Sequence, residues 1–317
     1  MVQEALTSAA DSPGYPFTIG TEALRDAAQK WMHRKLGVEG LPSVLPTIGS
    51  KELIALLAWL LEAPGPVAFP ALAYPTYEVG AILAGRQPIR IADDQTPPSN
   101  TAMVWLNSPS NPTGAVRPAA ELREVVEWAR SIGALVVSDE CYVELGWEGP
   151  PPVSVLHPSV CGESHRGVLA VHSLSKRSNF AGYRCGFVAG DTGAVQRLTE
   201  IRKHAGLMVP APVQAAAAAA LSDDAHVVMQ RARYARRRAL LKAALGVAGF
   251  RIDHSQAGLY LWASRDEDCW QSVSWLAERG ILVAPGVFYG PAGHQHVRVA
   301  LTATDERISA AVERLTA

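Results

Sequence analysis

The chain has 317 residues, more than a typical domain of about 100–200 residues, and therefore predicts two domains. Its 29 lysines and arginines nearly balance 30 aspartates and glutamates, which excludes the overall basic field that nucleic acid or an anionic membrane would require. Hydrophobic residues make up 48% and charged residues 19%, which indicates a large core and excludes disordered and coiled-coil classes.

The cysteines and the amino terminus bear on where the protein works. The four cysteines form no CxxC pair and no HExxH motif occurs, so we predict no metal site. So few thiols in a long chain suit a reducing compartment. The first residues lack a basic and then apolar signal sequence, and the apolar run 53–61 is too short to span a bilayer. We therefore expect a cytoplasmic enzyme that does not bind membranes.

The first two-thirds of the chain alternate between predicted helices and short apolar strands. The helices are expected at 21–36, 51–62, 76–84 and 118–131, with a polar loop at 93–100. Strands of this kind between helices predict an α/β fold with a mainly parallel sheet covered by helices on both faces. The expected strands are 43–48, 66–69, 87–91, 102–106, 134–137, 168–171 and 185–189.

After residue 191 the pattern changes to a smaller α+β domain. Helices dominate as far as residue 249, and a long helix at 223–245 is expected to bridge the domains. We predict a large domain at 13–222 and a small domain at 223–317, with residues 1–12 packing against the small one. The elements expected at the carboxyl-terminal end are strands 258–263 and 297–301 and helices 268–279 and 305–315.

A lysine follows the predicted strand 168–171 in the sequence Ser173-Leu174-Ser175-Lys176. A lysine at the mouth of a strand can be desolvated, which lowers its pKa and makes the amine a nucleophile toward a carbonyl. The alternative is an ordinary solvated charge. Ser173-x-x-Lys176 also matches the serine-lysine pair of β-lactamases, but neither the S-D-N nor the K-T-G of that family follows Lys176.

Other predicted strands are also followed by polar residues. Asp139 could cap the next segment or pair with a protonated ring nitrogen, and Tyr142 could place its hydroxyl near the same ring. The loop 107–114 has the composition of a turn. Gly49-Ser50-Lys51 at a predicted helix start offers backbone N–H groups to an anion, and Arg184 suits a phosphate.

Taken together, these motifs occur in the order and spacing of one enzyme family. The chain resembles the class I/II pyridoxal-phosphate aminotransferases of fold type I over almost its whole length. The resemblance implies a fold-type I structure and pyridoxal 5'-phosphate as cofactor. The matching elements are Gly49-Ser50, Tyr74-Pro75, Asn111-Pro112-x-Gly114, Asp139-x-x-Tyr142, Ser173-x-Ser175-Lys176, Arg184 and Arg298.

The resemblance implies roles for the residues around the cofactor ring. Lys176 is similar to the lysine that forms the Schiff base with the cofactor and moves the proton. Asp139 is similar to the partner of the pyridine nitrogen, and Asn111 and Tyr142 to the two groups that bind the ring oxygen. Tyr74 is similar to the aromatic residue that stacks on the ring. The catalytic set implied is therefore Lys176, Asp139 and Tyr142.

The resemblance also implies how phosphate and substrate are held. Arg298 is similar to the arginine that binds the substrate α-carboxylate, with Asn111 beside it. Tyr15 is similar to a tyrosine that reaches the phosphate in a neighbouring subunit, which implies a homodimer with shared active sites. The residues similar to the phosphate-binding group are Ser50, Lys51 through its backbone, Ser173 and Arg184.

A finer resemblance points to the substrate. The chain is similar to actinobacterial N-succinyldiaminopimelate aminotransferases, which implies transamination between N-succinyl-LL-2,6-diaminopimelate and 2-oxoglutarate or glutamate in diaminopimelate and lysine biosynthesis. The segments that carry this resemblance are 44–53, 72–77, 106–114, 173–191, 203–206, 209–214 and 300–307.

Three alternatives remain at this point. The first is a related transaminase, such as an N-acetylornithine type, and the second is a fold-type I carbon–sulfur lyase. The third is the sensor half of a transcription regulator, which would require a winged-helix segment before it. Members of the resembled family also carry residues before the point that matches Met1, which cover the substrate, so we expect this form to handle substrate poorly.

Overall fold

A computed structural model of the chain describes residues 1–60, 64–93 and 95–317. The end of the predicted helix 51–62 and one position of the predicted loop 93–100 lie outside the described residues. The described helices are α1 (Val2–Ser8), α2 (Glu22–Leu36), α3 (Gly49–Leu60), α4 (Thr76–Leu83), α5 (Ala119–Ile132), α6 (Pro158–Cys161), α7 (Leu174–Arg177), α8 (Thr192–His204), α9 (Ala211–Ser222), α10 (Ala225–Val247), α11 (Cys269–Glu278) and α12 (Asp305–Thr316).

A seven-stranded sheet forms the centre of the large part of the molecule. Its order is β3-β2-β4-β5-β6-β7-β1, and every strand is parallel to the others except β7. The expected mainly parallel α/β sheet is therefore confirmed. Its strands are β1 (Ser43–Thr47), β2 (Val67–Pro70), β3 (Pro88–Ile91), β4 (Met103–Asn107), β5 (Leu135–Asp139), β6 (Val168–Ser173) and β7 (Gly186–Gly190).

Apolar side chains cover both faces of this sheet. On one face α2, α5 and α9 pack over residues such as Val136, and on the other α3, α4 and α8 pack over residues such as Val137. Successive residues of a strand point to opposite faces, so continuously apolar strands are required where both faces are buried. Of the helices in the described ranges, none is long and apolar enough to cross a membrane.

The carboxyl ends of the parallel strands carry the polar residues singled out above. β5 and β6 each extend two residues beyond the expected strands, so Asp139 and Ser173 are final strand residues rather than loop residues. Asn107 pairs with Asp139 across β4 and β5, and Ser173 pairs with Gly186 at the start of β7. These side chains therefore meet at one edge of the sheet, where ligands bind in such folds.

A second, smaller sheet lies near the carboxyl terminus and packs with α10, α11 and α12. Its antiparallel order is β10-β11-β9-β8, and its strands have an apolar core in common with these helices. β8 and β10 were not expected, because β8 is short and polar and β10 has only two residues, one of them proline. The strands are β8 (Arg251–Asp253), β9 (Tyr260–Ser264), β10 (Ala284–Pro285) and β11 (His296–Ala300).

The amino-terminal helix differs from the expectation for residues 1–12. α1 packs against α9, and its residues Val2, Ala5 and Leu6 contact the core that α9 shares with the large sheet. The three apolar side chains lie on one face of the helix, which explains why it lies on the large part of the molecule and not on the small sheet. The division of the chain at residues 222 and 223 stays a prediction.

Candidate active site

Asp139 is a buried acidic group at the carboxyl edge of the large sheet. Its side chain accepts hydrogen bonds from the Tyr77 hydroxyl (2.9 Å) and from the Cys141 backbone N–H (3.2 Å). Burial raises the pKa of Asp139, while these donors and the charge of Lys176 oppose the rise. The carboxylate is thus oriented but under-stabilised, which suits a cationic ligand placed beside it.

Asn107 fixes the loop that follows β4. Its Nδ2 donates to the backbone carbonyls of Asp139 (2.9 Å) and Pro109 (3.1 Å), and its Oδ1 accepts the backbone N–H of Asn111 (2.7 Å). One amide therefore ties the ends of two strands to the loop. The side chain of Asn111 is thereby held over the same edge as Asp139.

Lys176 projects from the short helix α7, which begins directly after β6. The Ser173 hydroxyl accepts the backbone N–H of Ser175 (3.2 Å) and caps this turn. The next residue, Arg177, is buried and donates to Glu144 (2.6 Å) and to the carbonyl of Ala220 (2.6 Å). Lys176 itself is half-buried, and it sits on a turn that is anchored on both sides.

A group of hydrogen-bond donors surrounds the start of α3 at the same edge. A Cβ on Gly49 would collide with the guanidinium of Arg184, so the backbone of Gly49 leaves the space that Arg184 occupies. Arg184 also donates to the carbonyl of Ala181 (2.9 Å). The Cys141 thiol donates to the Ser50 hydroxyl (3.4 Å) and links this group to the residues after Asp139. Helix-start N–H groups, hydroxyls and a guanidinium are the donors that bind a phosphate dianion.

Arg298 reaches the site from β11 of the small sheet. Its Nη1 donates to Oδ1 of Asn111 (2.8 Å), and its guanidinium carbon lies 3.7 Å from the centre of the Tyr260 ring and 4.9 Å from that of Tyr289. Its Nε is buried and makes no hydrogen bond within the described part of the chain. A guanidinium with an unsatisfied donor in this position suits a carboxylate ligand.

Of the three remaining tyrosine candidates, two lie beside the site residues described above and one does not. Tyr74 is half-buried, with its ring edge-on to Tyr77 at 5.8 Å and the Lys51 Nζ 5.9 Å from its centre. The Tyr142 hydroxyl lies 3.2 Å from that of Tyr260. Tyr15 is 96% exposed and lies outside the group.

Sequence reasoning missed several residues that shape the site. Tyr77, three residues after Tyr74, holds Asp139, and Trp105 stacks on its ring at 4.8 Å. The position of Tyr77 could have indicated that it lies near the site, because Tyr77 is on the first turn of α4 and follows the same strand, β2, as Tyr74. Tyr260 and Tyr289 carry no comparable motif, and only the folded small sheet places them beside Arg298.

Glu140, the residue after Asp139, forms a buried pair with His172. The Glu140 Oε2 is 3.6 Å from Nε2 of His172, and its Oε1 accepts the Val155 backbone N–H (2.7 Å). Burial raises the pKa of Glu140 to about 7 and lowers that of His172 to about 3. Between these values both groups are neutral, so the contact is not an ion pair and adds no charge beside Asp139.

This pair predicts a pH-dependent stability difference for Glu140→Gln. A folded pKa raised above the unfolded value stabilises the protein at low pH, and the stabilisation is lost as pH rises through about 7. Glutamine keeps the acceptor for Val155 but does not ionise. Urea unfolding of both proteins should therefore show the variant gaining up to about 3 kcal/mol relative to wild type between pH 5 and pH 8. A difference that does not change with pH would contradict the assignment. Burial lowers the pKa of His172 to about 3, so His172 does not titrate between pH 5 and pH 8.

Comparison with known proteins identifies the family. Residues 2–315 match the family model for aminotransferases of class I and II. A probable aminotransferase of Mycobacterium tuberculosis is 61% identical over all of this chain and 77% of its own length. The 4-dedimethylamino-4-oxo-anhydrotetracycline transaminase OxyQ of Streptomyces rimosus is 58% identical over all of this chain and 89% of its own length.

Solved structures agree with this result. A probable N-succinyldiaminopimelate aminotransferase of Thermus thermophilus superposes with a TM-score of 0.87 and 29% identity, covering 99% of this chain and 90% of that one. Enzymes of the family use pyridoxal phosphate, and the donors around Gly49 and the buried Asp139 carboxylate fit its phosphate and its pyridine nitrogen. The chain therefore belongs to the class I and II aminotransferases, with the fold-type I architecture and pyridoxal phosphate as cofactor.

Proposed function

We propose that this aminotransferase exchanges an amino group between N-succinyl-LL-2,6-diaminopimelate and 2-oxoglutarate or glutamate. The observation that carries the proposal is Arg298, whose buried Nε has no hydrogen-bond partner among the described residues, at the edge that also holds Lys176 and Asp139. Both substrates have an α-carboxylate that such a guanidinium can bind. The similarity to the probable N-succinyldiaminopimelate aminotransferase of Thermus thermophilus supports the choice of substrate.

The chain's own residues divide the work of holding the cofactor. Lys176 would supply the amine that attaches the cofactor, and the Asp139 carboxylate would keep a proton on the pyridine nitrogen. Asn111 and Tyr142 bind the ring oxygen, and Tyr74 stacks on the ring. The bound cofactor supplies a conjugated cationic ring that withdraws electrons from the reacting carbon. The residues that bind the phosphate are Ser50, the backbone of Lys51, Ser173 and Arg184.

Proton transfer is then assigned to Lys176. The amine of Lys176 would stand beside the substrate Cα. There it could accept the Cα proton as a general base and later donate it as a general acid. Arg298 holds the carboxylate at two points, which fixes the Cα–H bond in the direction needed for this transfer. The anchored turn of α7 would keep the Lys176 Nζ within reach of the substrate Cα.

A homodimer in the cytoplasm completes the proposed assembly. Tyr15 is 96% exposed and Phe17 is 76% exposed, although both are large aromatic residues. Exposed aromatic side chains of this size are enriched at interfaces. In the proposed dimer Tyr15 of the partner subunit reaches the phosphate, so each active site uses residues from both copies.

A second acceptor class is favoured by one specific observation. The Streptomyces rimosus relative, 58% identical over the whole chain, is a transaminase for a 4-oxo-anhydrotetracycline. The substrate of that relative is a polycyclic ketone. The donor half of the reaction is the same in both proposals, because glutamate still binds through its α-carboxylate. The amino acceptor that the enzyme prefers therefore distinguishes the two proposals.

A panel of amino acceptors and donors tests the proposed substrate. The enzyme loaded with cofactor is assayed with glutamate as the amino donor and one acceptor at a time. The three acceptors are the oxo form of N-succinyl-diaminopimelate, the oxo form of N-acetylornithine and a polycyclic ketone. The proposal predicts that kcat/KM for the succinylated substrate exceeds the others by at least tenfold. A preference for the polycyclic ketone would establish the second class. Release of ammonia and pyruvate from cysteine conjugates without a transaminated product would indicate a carbon–sulfur lyase.

Arg298→Lys tests the carboxylate site. Lysine keeps the charge but not the planar two-point geometry, so kcat/KM should fall about 10–100-fold for glutamate and for the succinylated substrate alike. The affinity for the cofactor should stay unchanged, because Arg298 is not one of the residues proposed to bind the phosphate. Arg236→Lys, on the exposed face of α10 where Arg236 pairs with Asp305, is the matched control. A loss confined to one of the two substrates would contradict a shared carboxylate site.

A further inference from the structure

Tyr260 connects the two parts of the site, although no motif marks it. It is the first residue of β9, and β9 pairs with β11 so that Tyr260 lies opposite Ala300 and Trp262 lies opposite Arg298. Residues two apart on a strand share a face, so Tyr260 and Arg298 are diagonal neighbours on one face of the small sheet. The register of two strands therefore fixes this contact.

The ring of Tyr260 supports Arg298. The guanidinium carbon lies 3.7 Å from the ring centre, closer than to Tyr289 at 4.9 Å. A guanidinium stacked flat on an aromatic face is held in orientation and keeps its N–H edge available for a planar acceptor. Asn111 accepts one N–H at 2.8 Å. The ring and the amide together aim the remaining donors.

The hydroxyl of the same residue meets the large part of the molecule. It lies 3.2 Å from the hydroxyl of Tyr142, whose side chain is buried at 5% exposure. Burial, and then the neighbouring Tyr260, raise the pKa of Tyr142 well above its ordinary value, so Tyr142 keeps its proton at neutral pH. The other ionisable groups that act on Tyr142 are Cys141 and Asp139.

The proton of Tyr142 can be given to only one acceptor. A phenol has one O–H and can also accept, so the pair has two arrangements. If Tyr260 donates to Tyr142, the Tyr142 proton is free for the oxygen of the cofactor ring. If Tyr142 donates to Tyr260, that proton is not available to the oxygen of the cofactor ring. The hydroxyl of Tyr260 therefore controls what Tyr142 can do.

We infer that Tyr260 is a positioning residue that directs the Tyr142 hydroxyl with its own O–H and holds Arg298 with its ring. The inference rests on the proposed roles of Tyr142 and Arg298. One side chain thus links the group that binds the substrate carboxylate to the group that binds the cofactor oxygen. Its hydroxyl and its ring have separate effects, which two substitutions can separate.

Tyr260→Phe removes the hydroxyl and keeps the ring and the packing. In the protein loaded with pyridoxal phosphate, without substrate, the absorbance of the lysine-bound cofactor is titrated with pH. Without the proton that Tyr260 donates to its oxygen, the Tyr142 O–H is a weaker donor to the ring oxygen. This favours the protonated imine, so the midpoint should rise by about 0.5–1 pH unit. The dissociation constant of succinate, a non-reacting dicarboxylate that shifts the same absorbance, should change less than threefold.

Tyr260→Leu removes the ring as well. Succinate binding should then weaken about 5–30-fold, as expected when a guanidinium loses a stacked aromatic face. Tyr289→Phe is the matched control, since it keeps a ring beside Arg298 and removes a hydroxyl that has no hydrogen-bond partner within the described ranges. Its titration midpoint should equal that of wild type.

The decisive comparison uses the Tyr142→Phe background. Adding Tyr260→Phe to that variant should move the midpoint by less than 0.2 pH unit (roughly the error of such a titration), because the hydroxyl acts through Tyr142. A wild-type midpoint in Tyr260→Phe, or an equal shift in both backgrounds, would overturn the inference. A wild-type protein that shows no absorbance band for a lysine-bound cofactor would instead overturn the proposed role of Lys176, so the two failures are distinguishable.

Discussion

Lys176→Ala is expected to lower transamination by at least about a thousandfold and to abolish covalent cofactor attachment. The variant loses the amine that forms the covalent link and moves the Cα proton, and each role alone carries a large part of the rate. The cofactor should still bind, because the phosphate donors around Gly49 and the Asp139 carboxylate remain. Borohydride reduction followed by mass measurement of the intact protein checks the attachment, and initial rates check the turnover.

A lysine elsewhere on the surface provides the control. Lys203 lies on α8 with its side chain 61% exposed, so Lys203→Ala should label and turn over like wild type. Covalent labelling of Lys176→Ala after reduction would show that another lysine forms the link. Lys51, at the start of α3 near Tyr74, would then be the first candidate to examine.

Asp139→Asn should have the second largest effect, a loss of about 100–1,000-fold in kcat. The asparagine Oδ1 can accept the Cys141 backbone N–H in place of the 3.2 Å bond, and its Nδ2 can donate to the Tyr77 hydroxyl oxygen in place of the 2.9 Å bond, so both neighbours keep a partner. The negative charge is lost, and a buried pyridinium without its partner is destabilised by several kcal/mol. The ring would therefore lose its proton and with it the ability to withdraw electrons.

The matched control for this substitution is the neighbouring residue. Glu140→Gln is the same chemical change at an equally buried position, but Glu140 is neutral below its pKa of about 7. At pH 6 this variant should therefore keep turnover within about threefold of wild type, since no charge is removed. Equal losses in both variants would show that Asp139 acts only through local packing. Cofactor titration of both variants confirms that binding is retained.

The arrangement of the large sheet could be predicted because its signals are local. Seven apolar strands are interrupted by amphipathic helices, and the residue types after the strands place Asp139, Lys176 and the Gly49 segment at one edge. The strand ends were set too early because Ser138 and Asp139 are polar, and sequence patterns treat polar residues as loop. The structure buries both within β5 at 1% and 5% exposure.

The parts that could not be predicted depend on contacts between distant segments. Tyr77 holds Asp139 from 62 positions away in the chain, and Tyr260 meets Tyr142 across 118 positions. Neither contact leaves a periodic pattern. The small sheet has the same difficulty, since β8 is short and charged and β10 contains a proline.

We propose that this chain transfers an amino group through Lys176 and the residues around it. The most direct test follows the absorbance of stoichiometrically loaded protein mixed with glutamate alone, and then with 2-oxoglutarate. We expect glutamate to remove the band of the lysine-bound cofactor and to yield the amino form of the cofactor together with one equivalent of 2-oxoglutarate. Added 2-oxoglutarate should then restore the first band. Persistence of the original band after glutamate is added would contradict this proposal.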